Sequence, residues 1–274
     1  MKLGACACLC AALAACASAP PPAGADPRLA PARFLLTFDD GPSAFTSYNP
    51  TREVLDTLAD NEIQPGIKAL FFVQTRARGA STPTGQALLA RTHAEGHVLG
   101  LHSGSARGHL DHRRMPPEEL QRSLEDGVLD LTALSGRAPT LVRPTFWSWD
   151  ARTRAAYEAH GLAMLLTDIN ARDGKIYGWT ISLRRRSHLR AGLDRLRTRA
   201  TALPTHAGVL PVVVTFHDTN TFTASHLQEY LHILLEESRQ VGLPVAVPAF
   251  YNDAEEIKGV AHLRARAGLY AGPP

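Results

Sequence analysis

The chain has 274 residues, 45% hydrophobic and 20% charged, with a formal net charge of +3 from 29 Lys+Arg against 26 Asp+Glu. That length supports one large α/β domain with a substantial core and demands no second one. The charge is balanced and no Lys/Arg cluster is interleaved with aromatics, which argues against nucleic acid as a partner; the triplet Arg184-Arg185-Arg186 reads as a solvated helix face.

All the cysteines, Cys6, Cys8, Cys10 and Cys16, lie near the N-terminus. After Lys2 an apolar stretch of signal-peptide length runs to Leu13-Ala14-Ala15-Cys16, too short to span a bilayer comfortably. Its end resembles the lipobox of bacterial lipoprotein precursors. The resemblance implies that residues 1–16 are an export signal, that Cys16 is lipidated, and that the protein is held at a membrane of the cell envelope or periplasm. Ordinary secretory cleavage near residues 17–19 is the alternative. Residues 17–32, rich in Pro and Ala, would be a flexible tether. No Cys follows, so the domain beyond has no thiolate metal site, and a metal there must be held by His and carboxylate.

From Arg33 onward, short apolar runs alternate with longer amphipathic stretches. Residues 34–38 read as a strand that breaks at Asp39-Asp40-Gly41-Pro42, leaving two adjacent carboxylates at its C-terminal rim. Residues 50–58 carry Val54, Leu55 and Leu58 at helical spacing, with Thr51 as the expected cap. Strand 69–73, helix 86–93 and strand 98–101 follow, the last ending in His102. Pro116-Pro117-Glu118-Glu119 opens a helix to about residue 134, with Pro in the first turn and acids near its N-terminus. Strand 141–142 ends in Arg143-Pro144; helix 151–160 closes at Gly161; strand 164–167 ends in Asp168. A basic helix spans 183–201, and the β-branched run 209–216 ends in His217-Asp218. Helix 225–240 and strand 243–247 complete the domain, expected over residues 33–250, with 251–274 as a C-terminal extension.

Such βα repetition predicts a mostly parallel sheet, open or closed as a barrel. In a barrel, chemistry gathers at the C-terminal strand ends. Asp39, Asp40, His102, Arg143, Asp168 and His217 all fall at predicted strand ends of this kind.

The motifs Thr37-Phe38-Asp39-Asp40-Gly41-Pro42, His102-Ser103, Arg143-Pro144-Thr145-Phe146 and Thr215-Phe216-His217-Asp218 occur in the order and approximate spacing of the polysaccharide deacetylases of carbohydrate esterase family 4. The resemblance covers nearly the whole mature chain. It implies a distorted, incomplete (β/α) barrel of about seven parallel strands. It also implies metal-dependent removal of N-acetyl, sometimes O-acetyl, groups from a glycan. The family's divalent ion is usually zinc; cobalt, nickel or iron suit similar ligands. Carried over residue by residue, Asp40 and His102 would hold the metal, Asp39 would be the general base and Arg143 would tune it. His217 would be the general acid, and the Phe146 N–H would bind an oxyanion. Pro144, Thr145, Phe146 and Trp147 would line the groove for an N-acetylated sugar, and a monomer is expected.

This chain departs from that pattern in two places. The family's second metal His usually lies four residues after the first, where this chain has Ala106; His109 is the favoured third ligand and His112 the alternative. The family's Asp-x-x-Asp-Trp motif is represented by Asn170-Ala171-Arg172-Asp173-Gly174. Asp168 is therefore the expected partner of His217, with Asp173 the runner-up. A hydrolase of a non-sugar amide or ester, and a non-catalytic glycan-binding module, are the competing readings.

Overall fold

A computed structural model describes residues 28–173 and 182–267. The signal expectation, Cys16 included, and the tether up to residue 27 lie outside these residues. The last part of the expected tether, 28–32, is instead folded, with Leu29 and Ala32 buried in the core and Ala32 opening the first strand. Among the described residues no helix is long and apolar enough to cross a membrane.

The expected fold is present. Strands β1 (Ala32–Asp39), β2 (Leu70–Gln74), β3 (Val98–Ser103), β4 (Leu141–Val142), β5 (Ala163–Met164), β6 (Ile169–Asn170) and β7 (Leu210–His217) form a sheet ordered β5-β4-β3-β2-β1-β7-β6. Neighbouring strands pair in parallel throughout. β8 (Val245–Phe250) adds to β1 near its start, where Ala32 faces Val245. The sheet curls into a half-barrel whose opening falls between β5 and β6. Helices α1 (Pro50–Ala59), α2 (Pro83–Ala94), α3 (Pro117–Ser135), α4 (Ala151–Ala159) and α5 (Arg185–Arg199) lie between strands. The short α6 (Thr221–Ser225), then α7 (Leu227–Gln240) and α8 (Ala254–Arg266), follow β7 and β8.

Strand alternation explains both layers of the core. Phe34, Leu36 and Phe38 of β1 share a cluster with helix residues such as Leu55 and Leu231, and Phe38 stacks on Phe71 and Phe216 at 5.0 and 5.9 Å. Leu35 packs instead with Leu70, Phe72 and Val213, together with Ile257, Val260 and Ala261 of α8. The C-terminal extension thus contributes a helix to the second core cluster.

Several local expectations change. The run 164–167 is not one strand: its start pairs with β4, and Ile169–Asn170 pairs with β7. Leu165 and Leu166 are buried while crossing the barrel opening, so apolar character alone could not distinguish them from strand. The helix expected over 225–240 is present as α7 from Leu227, with the separate short α6 before it across His226. The cap of α1 is Asn49, whose side chain accepts from Arg52 N. Thr51 Oγ instead accepts from Ser43 N and donates to Asp218 Oδ2 at 2.7 Å.

Candidate active site

β1 ends where the two carboxylates begin to differ. Asp39 still pairs in register, with Phe72 on one side and His217 on the other. Asp40 takes φ 75, a left-handed conformation that Asp tolerates better than most residues. The chain therefore turns between the two residues. Gly41 continues the turn, and a Cβ there would overlap the buried Asp218 carboxylate. Burial pushes the Asp218 carboxyl up to about 7.

Asp40 meets two imidazoles. Its Oδ1 lies 3.3 Å from His102 Nε2 and 3.5 Å from His109 Nε2. His102 Nδ1 is 2.8 Å from the Arg143 carbonyl. A carbonyl only accepts, so Nδ1 carries a hydrogen and Nε2 is the ring nitrogen turned toward Asp40. Burial works against the charge of Asp40, but the His102 hydrogen bond and the His102, His109 and His217 charges hold its carboxyl well below the usual range. Ligand atoms of Asp40, His102 and His109 all lie within 4.8 Å of one another. Ligands bound to one tetrahedral ion at about 2.0–2.1 Å stand about 3.3–3.4 Å apart, so this donor set fits a zinc-like divalent ion.

His112, the alternative ligand, is outside this group. It is fully buried, with Nδ1 2.7 Å from the Tyr157 hydroxyl, and burial pushes it down to about 3. The loop after β3 thus delivers His109, half-exposed, and tucks His112 into the protein.

Arg143 is buried completely and its charge is met on several sides. It donates to Asp39 Oδ1 at 2.8 Å, Thr37 Oγ at 2.6 Å, Leu165 O at 3.1 Å and Leu166 O at 3.3 Å. The last two carbonyls belong to the segment crossing the barrel opening, so Arg143 ties that gap to the base of the site. Its guanidinium stands 4.2 Å from the Phe72 ring centroid and 5.1 Å from that of Trp147.

His217 projects from the end of β7, with Nε2 3.9 Å from Asp40 Oδ2. Its partner is Asp173, not Asp168. Asp173 Oδ1 is 2.9 Å from His217 Nδ1, and Asp173 Oδ2 accepts from His217 N at 2.9 Å. Asp173 Oδ2 also accepts from Thr223 Oγ at 2.7 Å, and its carbonyl accepts from Asn220 Nδ2. Burial opposes a charged ring, yet Asp173, with Asp39 and Asp40 beyond it, pushes His217 up to about 10. Asp168 precedes β6 and sits beside Val213, whose N–H it accepts at 2.9 Å. It is bound by Arg264 at 2.6 Å and Arg199 at 3.0 Å. It is a structural ion pair that anchors α8.

Pro144 and Thr145 are buried behind the site. Phe146 and Trp147 both take positive φ, 56 and 58, in a tight turn. Phe146 is 57% exposed, and its ring centroid lies 4.1 Å from that of His109. An aromatic wall therefore borders the imidazoles. Sequence reasoning missed Thr223 and Gln74, while Asn220 stood out only as part of a polar Thr219-Asn220-Thr221 run without a role.

Residues 28–165, just over half of the chain, match the family model described as polysaccharide deacetylase. A chitin deacetylase of Pestalotiopsis sp is 32% identical over 143 residues, covering 52% of this chain and 44% of that protein. A peptidoglycan-N-acetylglucosamine deacetylase of Listeria monocytogenes is 32% identical over 149 residues, covering 52% of this chain and 27% of that protein. The chain spans less than half the length of these curated relatives. The solved chitin deacetylase of the fungal pathogen Colletotrichum lindemuthianum superposes with a TM-score of 0.57 at 21% identity, covering 81% of this chain and 88% of that one. That likeness establishes the fold.

Proposed function

Because the chain belongs to the polysaccharide deacetylase family, we propose that it is a metal-dependent hydrolase removing N-acetyl groups from a glycan. One observation carries the reading: a carboxylate and two imidazoles with metal-ligand spacing stand between an Arg-held carboxylate and an Asp-held imidazole. Asp40, His102 and His109 would hold the ion, zinc being the best match to this donor set. A divalent ion there supplies Lewis acidity toward a carbonyl oxygen and lowers the pKa of water.

The remaining work belongs to the side chains. Asp39 accepts the proton of the attacking water, with Arg143 holding its Oδ1 in place. The water oxygen bonds to the acetyl carbon, and the Phe146 N–H donates to the oxygen that gains charge. His217, protonated through its pairing with Asp173, gives a proton to the sugar nitrogen as the carbon–nitrogen bond breaks. Acetate and a free amine result. Phe146 and Trp147 offer aromatic surface to a sugar ring.

Residues 1–16 and Cys16 support export and lipid anchoring as part of the same reading, placing the enzyme beside an envelope glycan. The test is acetate release from N-acetylglucosamine oligomers, with chelator and then with added zinc or cobalt. Activity should vanish on chelation, return with metal and be lost in Asp39→Asn; activity indifferent to chelation would sink the metal mechanism.

A further inference from the structure

Gln74 is buried at the end of β2 and touches the candidate metal centre without belonging to it. Its backbone N–H donates to Gly41 O at 3.2 Å, and its side-chain Nε2 donates to Asp40 Oδ1 at 2.6 Å. One residue thus grips the Asp40-Gly41 turn through main chain and side chain together. The oxygen it holds is the one nearest both His102 Nε2 and His109 Nε2. Asp40 Oδ2 is left on the side of His217.

The other end of the amide faces the loop that carries His109. A Cβ placed on Gly108 would lie 3.2 Å from Gln74 Oε1, and Gly108 adopts φ 76. Only a residue without a side chain sits comfortably at such a backbone, so the loop can pass close to Gln74. Ser103 Oγ fixes the same point by donating to Gly108 O at 3.1 Å. Gln74 therefore lies between the turn that presents one candidate ligand and the loop that presents another. An amide nitrogen has no lone pair for a cation, so its contribution is orientation.

We propose that Gln74 is a positioning residue of the metal centre: it selects the Asp40 oxygen that faces the imidazoles and supports the lengthened loop that delivers His109. The proposal rests on the metal reading above. A donor on a ligating carboxylate fixes its rotamer before the ion arrives, and removing such a partner weakens metal affinity by about 10–100-fold.

The test compares the full chain with Gln74→Leu and Gln74→Met, the second keeping the length of the side chain. Zinc and cobalt affinities are measured by competition with a chromophoric chelator. The visible spectrum of the cobalt form and the melting of the apo form are recorded alongside. Both variants should bind about 10–100-fold more weakly, with altered cobalt band intensities and a cooperative apo transition retained. Variants that match the wild-type chain in affinity and spectrum overturn the role of Gln74 alone. A wild-type chain that takes up neither metal overturns the metal reading and this proposal together.

Discussion

Asp173 holds His217 twice, through the ring Nδ1 and through the backbone N–H, each at 2.9 Å. One carboxylate thereby fixes the tautomer, the ring orientation and the end of β7. Asp168, the other acid of this segment, lies beside Val213 and is neutralised by Arg264 and Arg199. The two acids should fail in different ways. Asp173→Asn should lower kcat by about 100-fold or more while the protein stays folded, since it withdraws support from His217, the proposed general acid. Asp168→Asn should keep turnover and lose about 3 kcal/mol or more of stability, the cost of leaving buried Arg264 unpaired. Acetate assays and urea unfolding on both variants decide it; the reverse pattern would reassign the acids.

Thr223 supports Asp173 from α6. Thr223→Val keeps the shape and removes the hydroxyl that donates to Asp173 Oδ2. A hydrogen bond to a charged group contributes about 1.5–3 kcal/mol, so kcat should fall about tenfold with KM little changed. The pH at which activity falls on the alkaline side should also move, because Asp173 sets the proton affinity of His217. A fall in stability with an unchanged pH profile would limit Thr223 to packing.

Arg143 serves Asp39, Thr37, Leu165 and Leu166 with one planar fork. A lysine ammonium cannot reach Asp39, Thr37, Leu165 and Leu166 together. Arg143→Lys should therefore resemble Arg143→Met, losing most activity and about 3–5 kcal/mol of stability. If the lysine variant restores both, charge alone is what the site needs from Arg143.

His109 and His112 should separate under metal titration. His109→Ala should weaken zinc binding by more than about 100-fold, because a ligand is lost rather than its support. His112→Ala should retain zinc and lose stability, since it breaks the buried contact with Tyr157. Zinc retained by the first variant and lost by the second would move the third ligand to His112.

His97 reports on acid stability away from the site. Its Nδ1 accepts from Ala69 N at 3.1 Å, and burial, with Lys68 and Arg91 nearby, pushes it down to about 3. Its folded pKa is depressed, so its contribution is complete above the unfolded value of about 6.5 and is lost as pH falls toward 3. Across that window the unfolded chain binds a proton that the fold refuses, at about 1.4 kcal/mol per pH unit. His97→Asn keeps an acceptor and removes the titration, so unfolding free energy should depend on pH with one proton fewer. Equal slopes for the two proteins would show that His97 does not titrate on unfolding.

Most of the fold was legible because apolar runs and their breaks are local. Alternating periods of strand and helix imply a parallel sheet, and a parallel sheet puts the ends of its strands on one face. That reasoning reached Asp39, Asp40, His102, Arg143 and His217 from the chain alone. The family pattern added His109 to this set. What remained open depended on register and on loop path. Asp168 follows an apolar run as a strand-end residue would, but the run crosses the barrel opening, and pairing of β6 with β7 sets Asp168 beside Val213. Asp173 comes after β6 and meets His217 because that same pairing carries it up the sheet.

The placement of His109 beside Asp40 with His112 tucked against Tyr157, and the contacts of Gln74 and Thr223, likewise required the path of each loop in three dimensions. The sequence by itself determined that two carboxylates would end the central strand. Tertiary structure decided their separate surroundings: φ 75 at Asp40 turns one toward the imidazoles, while Asp39 stays in register beside Arg143. Local pattern fixes which residues reach a strand end; only packing between strands and loops fixes what each then touches.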